Sequence, residues 1–298
     1  MLDFKPVTIE DKDRIQYFFD KTDFRNCDFS FANIFCWQNS FRTLYAVQDG
    51  FLFFFFKAYE QWAYLFPVGD GDLKQAINRL TQDAGKRGIP LQIFSVTQRM
   101  YDLIEACMPG EFTYKTNPNW SEYIYLSEDL ISLAGKKYQS KRNHINKFMR
   151  NYTWEYEPIT QAIIPDCLDL YRRWCAENGG CNSEQSLAEE LIATHRAFKY
   201  FERLGLAGGA LRIEGKILAY SYGQPLTKDT FGVYAEKSLY EIDGGFAMMN
   251  RQFAERNCAG YLYINREEDL GLESLRKAKL SYHPSILLEK GILKKRIK

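Results

Sequence analysis

Charged and amide side chains follow one another closely at the end of an apolar stretch near the C-terminus. Residues 261–265 have the composition of a strand, and Arg266, Glu267, Glu268 and Asp269 come directly after it. Open α/β proteins commonly form their sites where strands end. A carboxylate in this position can bind an ammonium group, such as the amine of an aminoacyl donor. It can act as a general base if burial raises its pKa. The predicted roles are substrate binding for Asn265 and Arg266, and catalysis for Glu267 and Asp269.

A helix predicted behind this strand end carries two cations on one face. Asp269 can cap it, so that it begins at Leu270, and Arg276 and Lys279 lie three residues apart. At that spacing both cations can converge on a single anion as substrate-binding residues. Tyr282 follows at another step of three and can act as an acid toward a leaving group. The alternative is a surface network of ion pairs, each contributing little. The residues expected to face inward are Leu272, Leu275 and Ala278.

A basic segment, residues 136–150, has six Lys or Arg residues and no acidic residue. On a helix these residues form a basic stripe that can hold phosphates, and Arg142 can chelate one through two hydrogen bonds. Three interpretations stay open: a solvated helix face, a tRNA-binding surface, and a site for a small phosphorylated ligand or an anionic surface. A steep salt dependence of binding would distinguish phosphate contacts from a solvated face. The predicted phosphate- or tRNA-binding residues are Lys136, Lys137, Lys141 and Arg142.

The elements that must position these residues occur in the same order twice: helix, antiparallel meander, helix, strand. The strands of the two meanders are predicted at 42–47, 51–56 and 62–66, and at 208–213, 217–224 and 230–235. An additional helix is predicted at 186–204. This repetition predicts a structural duplication, with one domain at 1–151 that includes a basic linker helix at 135–150. The second domain, at 152–298, carries the predicted site.

Composition narrows the functional classes. The chain has 298 residues, a formal net charge of +1 and seven scattered cysteines. The charge gives no global attraction to polyanions, and the unpaired cysteine pattern favours reduced thiols and a cytoplasmic location. The apolar run at 51–56 is too short to span a membrane and is predicted to be a strand buried on both faces. No His, Cys or carboxylate spacing typical of a metal site is present, and no phosphate loop or dinucleotide motif occurs.

Two stretches resemble a known family. The first is GKKYQSKRNHINKF at 135–148, which follows WSEYIY at 120–125; the second is INREEDLGLESLRKAKLSYHP at 264–284. Together they resemble the C-terminal domain of bacterial phosphatidylglycerol lysyltransferases and stand-alone relatives of that domain. The resemblance implies an α/β (α+β) protein with a tandem, duplicated GNAT-like fold, whose mixed central sheets are flanked by helices. It also implies kinship with Fem-type aminoacyltransferases, which take amino acids from charged tRNA.

The resemblance also implies where a donor would bind. Acyl-CoA-dependent GNAT proteins hold the pyrophosphate with an Arg/Gln-x-x-Gly-x-Gly/Ala turn that opens a helix. The corresponding turn here has Gly244 and Gly245 but no Arg or Gln at the first position, and its Glu241 and Asp243 would repel a pyrophosphate. An oxyanion donor is expected on the strand within 231–236, where Tyr234 is a candidate acid.

The sequence therefore predicts an acyl- or aminoacyltransferase, with aminoacyl-tRNA favoured over acyl-CoA as the donor and no certain cofactor. The predicted partners are tRNA and an acceptor left open among small molecules, peptides and lipids. The alternative is a non-catalytic protein that binds a ligand or nucleic acid and retains the GNAT-like fold.

Overall fold

The computed structural model describes residues 1–180 and 185–296, which form two compact units. Unit 1 comprises Met1–Glu122, Glu268–Lys277 and Leu287–Lys298. Unit 2 comprises Tyr123–Glu267 and Ala278–Ile286. The boundary predicted near residue 151 falls inside unit 2, and the end of the chain belongs to unit 1.

The described residues contain fifteen strands that form two mixed sheets. In chain order these are β1 Lys5–Pro6, β2 Leu44–Gln48, β3 Phe51–Ala58, β4 Gln61–Leu65, β5 Val68–Gly69, β6 Gln92–Thr97, β7 Phe112–Thr116, β8 Glu122–Leu126, β9 Trp154–Pro158, β10 Ala207–Ile213, β11 Lys216–Pro225, β12 Thr230–Ser238, β13 Tyr263–Asn265, β14 Ile286–Leu288 and β15 Lys290–Lys295.

Helices flank both sheets, as predicted for an α/β protein. In chain order these are α1 Lys12–Phe19, α2 Phe31–Phe41, α3 Leu73–Arg87, α4 Gln98–Cys107, α5 Ser127–Ser132, α6 Gln139–Asn151, α7 Ile164–Glu177, α8 Gln185–Lys199, α9 Phe201–Leu204, α10 Gly245–Asn257 and α11 Glu273–Leu280. Asp72 caps α3 through hydrogen bonds from two backbone N–H groups, as its sequence position predicts.

The two sheets have the same strand order. In the first, β2, β3 and β4 form an antiparallel meander and α3 leads to β6, which lies parallel to β4. In the second, β10, β11 and β12 form the meander and α10 leads to β13, which lies parallel to β12. Both predicted meanders are thus confirmed. Each is followed by a helix and then by a strand that lies parallel to the last strand of the meander.

One strand of each sheet comes from a distant part of the sequence. The first sheet runs β1-β2-β3-β4-β6-β15-β7, so the C-terminal strand pairs with β6. The second runs β14-β8-β13-β12-β11-β10-β9, so β8 from the N-terminal part pairs with β13. β8 and β15 occupy equivalent places in the two sheets. Each sheet thus takes one strand from the other half of the sequence, which sequence periodicity does not reveal.

The aromatic run in β3 forms the centre of the first sheet. All six residues from Phe51 to Phe56 are buried, which confirms the prediction of a strand covered on both faces. Neighbouring rings pack against it on either side, with Phe54 stacked on Phe19 at 6.0 Å and Phe55 on Trp62 at 4.5 Å between ring centroids. Such pairs add to the stabilisation that burial of the rings provides.

Three local predictions are wrong. The helix predicted at 186–204 is divided at Tyr200 into α8 and α9. The helix predicted to begin at Leu270 begins at Glu273, and Leu272 and Ala278, which were predicted to face inward, are exposed. Cys175 is disulfide-bonded, whereas the sequence favoured reduced thiols throughout.

Candidate functional site

Strands β12 and β13 separate in the middle of the second sheet. Their parallel pairing ends at Gly232 and Asn265, after which β12 continues to Ser238 while the chain turns away from β13. The register between β11 and β12 also shifts here, so that Tyr222 pairs with Ala235 and Gly223 with Val233, and Tyr234 is the additional residue of a β-bulge. Bulges often lie beside active sites because they redirect the strand.

A buried ion pair bridges this opening. Arg266, the first residue after β13, donates from Nη2 to Glu236 Oε1 of β12 at 2.9 Å, and both side chains are 12% exposed. Asn250 of α10 donates from Nδ2 to the other oxygen of Glu236 at 3.1 Å. Burial opposes the charge of Arg266, but the Glu236 carboxylate raises the pKa of the guanidinium above its usual value.

Two atoms of this cluster have unused hydrogen-bonding capacity. Within the described chain, Arg266 Nη1 and Asn250 Oδ1 are buried polar atoms with no hydrogen-bond partner. A buried donor without a partner costs about 1–3 kcal/mol, so such atoms are rare unless a ligand or water satisfies them. The cluster therefore offers one charged donor and one amide acceptor to a bound molecule.

Lys141 of α6 lies beside the same cluster. Its Nζ is 4.0 Å from the centroid of the Tyr282 ring, and the Arg266 guanidinium carbon is 5.0 Å from that centroid. Burial, and secondarily the positive charge of Arg266, lowers the pKa of Lys141 to about 8. A lysine with this pKa is partly neutral near physiological pH and can accept a proton. Burial raises the pKa of the Tyr282 hydroxyl far above its ordinary value, which disfavours its ionisation.

Asn265 and Lys279, two predicted substrate-binding residues, hold the turn that presents Arg266. The Asn265 carboxamide oxygen accepts from the Glu267 N–H at 2.8 Å. Lys279 Nζ donates to the carbonyl oxygens of Arg266 and Glu267 at 2.5 and 3.0 Å. Glu267 itself has a left-handed backbone, with a φ of 58°, which these bonds must stabilise. Both residues thus act on the backbone of the site.

Asp269 and Arg276 lie in unit 1, together with Glu268. Arg276 binds both oxygens of the fully buried Asp269, with Nε at 2.6 Å and Nη2 at 3.0 Å, and Nη2 also donates to Asn119 Oδ1 at 2.7 Å. The residues that the sequence grouped at one strand end are therefore divided: Arg276 joins Asp269, whereas Lys279 joins Arg266 and Tyr282 in unit 2.

The basic segment does not form a uniform stripe. Arg142 donates to the carbonyl oxygens of Leu133 and Gly135 and to Gln139 Oε1, so its guanidinium holds the start of α6. Lys141 points into the cluster described above. Lys136 and Lys137 remain exposed in a short 3-10 turn, where Lys137 is 3.2 Å from Asp129.

The glycine pair that precedes α10 is required by protein contacts. Gly244 has a φ of 81°, and a Cβ there would lie 2.5 Å from the His144 carbonyl oxygen. A Cβ on Gly245 would lie 2.3 Å from Ser238 Oγ. The acids of this turn are neutralised within unit 2, because Glu241 binds Arg173 at 3.0 Å and Asp243 binds Lys147.

A second buried charge cluster lies in unit 1 around Lys290 of β15. Its ammonium is 2.6 Å from Glu122, 2.7 Å from Asp28 and 2.6 Å from Glu268. Lys290 and Glu122 are almost fully buried, and Glu122 also accepts from the backbone N–H of Cys27. Three carboxylates thus surround one ammonium.

The pKa values of the carboxyl groups in this cluster are shifted in different directions. Burial, together with the nearby Asp28 and Glu122, raises the pKa of Glu268 to about 7 despite the attraction of Lys290. Burial also acts against the charge of Asp28, but Lys290 and hydrogen bonds from Ser95 and Asn26 bring the pKa of Asp28 below its usual value. The same carboxylates raise the pKa of Lys290 well above that of a free lysine.

Glu268→Gln should change how stability depends on pH. A carboxyl with a raised pKa stabilises the folded state below its unfolded pKa and loses that contribution as pH rises through the folded value. Between pH 5 and pH 8, we expect the variant to gain about 2 kcal/mol relative to the native chain, since Gln cannot ionise. Chemical denaturation at both pH values measures this difference. Parallel pH profiles for the two proteins would show that Glu268 titrates at its ordinary pKa.

Several residues of these clusters were not identified from the sequence. They are Glu236, Asn250, Asp28, Glu122 and Lys290. The available signal was a charged residue inside a stretch otherwise typical of a buried strand, as at Glu122 and Glu236. Charges in such positions are rare unless they are paired.

Two mixed sheets flanked by helices define an α/β protein, and the separated strands with a buried ion pair mark its candidate site. The profile of the family "Phosphatidylglycerol lysyltransferase, C-terminal" matches residues 19–291. The chain belongs to this family, which confirms the resemblance seen in its sequence. The name of this family describes the C-terminal domain of a lysyltransferase.

Solved structures agree with this assignment. A conserved protein of unknown function from Bacteroides thetaiotaomicron is 46% identical, with a TM-score of 0.95 over 99% of this chain and 100% of that chain. The L-PGS of Bacillus licheniformis is 14% identical, with a TM-score of 0.65 over 96% and 92%. FemX is 9% identical, with a TM-score of 0.58 over 99% and 96%. The last two show a shared fold.

A curated relative is an uncharacterised protein of Mycoplasmoides gallisepticum, 23% identical over 177 residues. The alignment covers 58% of this chain and 56% of that protein, so it spans just over half of the relative's length. In the part of the chain that the structure describes, no helix combines the length and hydrophobicity needed to cross a bilayer.

Proposed function

We propose that this protein is an aminoacyltransferase whose site is the cluster of Arg266, Glu236, Asn250 and Lys141 in unit 2. The observation that carries the proposal is the buried Arg266 Nη1, which has no partner among the described residues and lies in a cluster with a lysine whose pKa is lowered. An unsatisfied charged donor and a partly neutral amine are the two groups that acyl transfer requires.

The residues have distinct roles in the proposed transfer. Arg266 Nη1 binds the oxygen of the acyl carbonyl and stabilises the negative charge that develops on it. Neutral Lys141 accepts the proton of the acceptor's amine or hydroxyl group as this group attacks the carbonyl carbon. A new C–N or C–O bond then forms and the ester bond of the donor breaks. The proton returns from Lys141 to the departing ribose hydroxyl, so protons balance over the cycle. Glu236 and Asn250 position the guanidinium.

The proposed donor is aminoacyl-tRNA rather than acyl-CoA. Support comes from the family, whose name describes a lysyltransferase, and from the fold shared with FemX. The Gly244–Gly245 turn lacks the side chains that hold a pyrophosphate, and its glycines are accounted for by contacts with His144 and Ser238. Lys136 and Arg150 are exposed cations of the basic segment that can contact tRNA phosphates, whereas the exposed Lys137 is paired with Asp129. The acceptor is a lipid, a peptide or a small molecule.

The proposed domain history is a duplication of a GNAT-like fold at 1–151 and 152–298. The repeated strand order of the two sheets supports it. In this proposal the exchange of β8 and β15 followed the duplication, because it leaves the strand order of each sheet complete.

The test is donor consumption. The full chain is incubated with a pool of radiolabelled aminoacyl-tRNAs, or with acyl-CoAs, in the presence of bacterial lipid and peptide extracts. We expect loss of tRNA-bound label, with a rate that rises with pH through about 8 as Lys141 loses its proton. Lys141→Arg keeps the charge but removes the base, and should lower the rate at least about 10²-fold.

Lys147→Arg provides the matched control on the same helix, and we expect its rate to equal that of the native chain. Unchanged turnover in Lys141→Arg would remove lysine from the mechanism. Failure of the native chain to consume any donor would instead favour the second candidate, a non-catalytic binding protein. That candidate has its own observation: Arg276 and Arg142, which the sequence assigned to ligand binding, hold protein groups.

A further inference from the structure

Unit 1 contains a cavity that is separate from the proposed transfer site. Its volume is about 170 Å³. Six aromatic residues line it, contributed by α2, by β3 and the turn after it, by β6 and by the segment before β8: Trp37, Phe41, Phe56, Tyr59, Phe94 and Trp120. An engineered apolar cavity of about 150 Å³ holds benzene, so this one has room for a single small ligand.

The rings are held in place by one another. Trp120 Nε1 donates to the Tyr59 hydroxyl at 2.9 Å, and the two rings stack at 5.8 Å. Trp120 also contacts Phe94 at 5.9 Å between centroids. The faces of aromatic π-systems attract cations, so a cavity lined by such rings favours a positively charged ligand.

The polar part of the cavity is formed by the Lys290 cluster. Asp28, Glu268 and Lys290 line it, but their access to a ligand differs. The Asp28 and Glu268 side chains are 25% and 24% exposed, whereas that of Lys290 is 2% exposed. A ligand therefore meets carboxylate oxygens, and the ammonium lies beneath them.

The charge of the cluster is negative. Glu122, Asp28 and Glu268 carry three negative charges when ionised, and Lys290, which they surround, carries one positive charge. A surplus of negative charge in a partly buried cavity attracts a cation more strongly than it would at the surface. Hard metal ions require several oxygen ligands, which rings cannot supply, so the wall favours an organic cation.

We propose that this cavity is a binding site for a small organic ammonium ion, whose charged group lies against Asp28 and Glu268 and whose apolar part packs against the rings. This site is distinct from the proposed transfer site, which is formed by residues of unit 2. Binding of the ammonium ion does not depend on a donor or an acceptor of that reaction.

The test uses three probes of equal length on the full chain: n-butylammonium, n-butanol and n-butyrate. Binding is followed by titration calorimetry and by tryptophan fluorescence, because Trp37 and Trp120 line the cavity. We expect n-butylammonium to bind at least about tenfold more tightly than n-butanol, and n-butyrate not to bind. Affinity for the cation should increase from pH 6 to pH 8 as Glu268 ionises.

Two variants locate the probe. Asp28→Asn should weaken n-butylammonium binding about tenfold, while Asp23→Asn, a surface acid of the same unit paired with Arg99, should not change it. Tyr59→Leu removes an exposed ring and should weaken binding about threefold without affecting folding, which circular dichroism and thermal melting verify.

Three results would overturn the inference. Equal affinities for n-butylammonium and n-butanol would mean that the cavity recognises only apolar surface. Binding of n-butyrate would mean that Lys290 determines the charge preference. Native affinity in both Asp28→Asn and Tyr59→Leu would place the probe elsewhere. Each result is independent of whether the chain transfers an aminoacyl group.

Discussion

Arg266→Met is expected to abolish aminoacyl transfer and to lower the free energy of unfolding by about 3–5 kcal/mol. Both effects have one origin, the buried pair with Glu236. Removing the guanidinium leaves the Glu236 carboxylate in a poorly solvated position without its counter-ion, which is strongly destabilising. It also removes the only charged donor proposed to bind the acyl oxygen, and loss of such a donor costs about 10²–10³ in rate. Urea denaturation and the donor assay measure the two effects separately.

A second variant separates the functional role of Arg266 from its structural role. In Arg266→Met/Glu236→Leu both charges are replaced by apolar groups of similar size, so we expect most of the lost stability to return. Turnover should remain absent, because the acyl oxygen still lacks its donor. The matched control is Arg212→Met, which breaks an ion pair of 2.7 Å at the β9–β10 edge of the same sheet. Recovery of turnover in the double variant would show that Arg266 is only structural.

The strand–helix–strand order of both halves could be read from the sequence because it depends on local signals. Each of these signals determines only the structure of the residues beside it. Examples are the helix cap at Asp72, the glycines that end helices and the apolar run in β3. The places of β8 and β15 could not be read in this way. Each pairs with a strand more than a hundred residues away, Ile124 with Asn265 and Gly291 with Val96, and no local pattern encodes such a partner.

The site shows the same division between local and non-local information. A strand end at Asn265 was predictable, and the structure places Arg266 there. Its partner was not predictable, since Glu236 and Arg266 meet only because two parallel strands diverge after Gly232. Helical spacing suggested that Arg276 and Lys279 share an anion. In the structure, Arg276 binds the buried carboxylate of Asp269. Lys279 instead binds two backbone carbonyl groups.

Lys290→Met should destabilise the protein more than any change at an exposed lysine. The substitution keeps the length of the side chain but leaves Asp28, Glu122 and Glu268 without the ammonium that lies within 2.7 Å of each. Breaking a buried charge cluster by removing one partner costs about 3–5 kcal/mol. Denaturant unfolding at pH 7.5, monitored by tryptophan fluorescence, gives this value directly.

The pH dependence of the variant identifies the cause. Without Lys290, the pKa of Glu268, already raised to about 7, rises further because the attraction that lowered it is gone. A raised folded pKa means that stability is regained as pH falls, so the deficit of Lys290→Met should shrink between pH 7.5 and pH 5. Lys294→Met, an exposed lysine on the same strand, should stay within about 0.5 kcal/mol of the native chain at both values. A deficit that does not change with pH would indicate lost packing rather than uncompensated carboxylates.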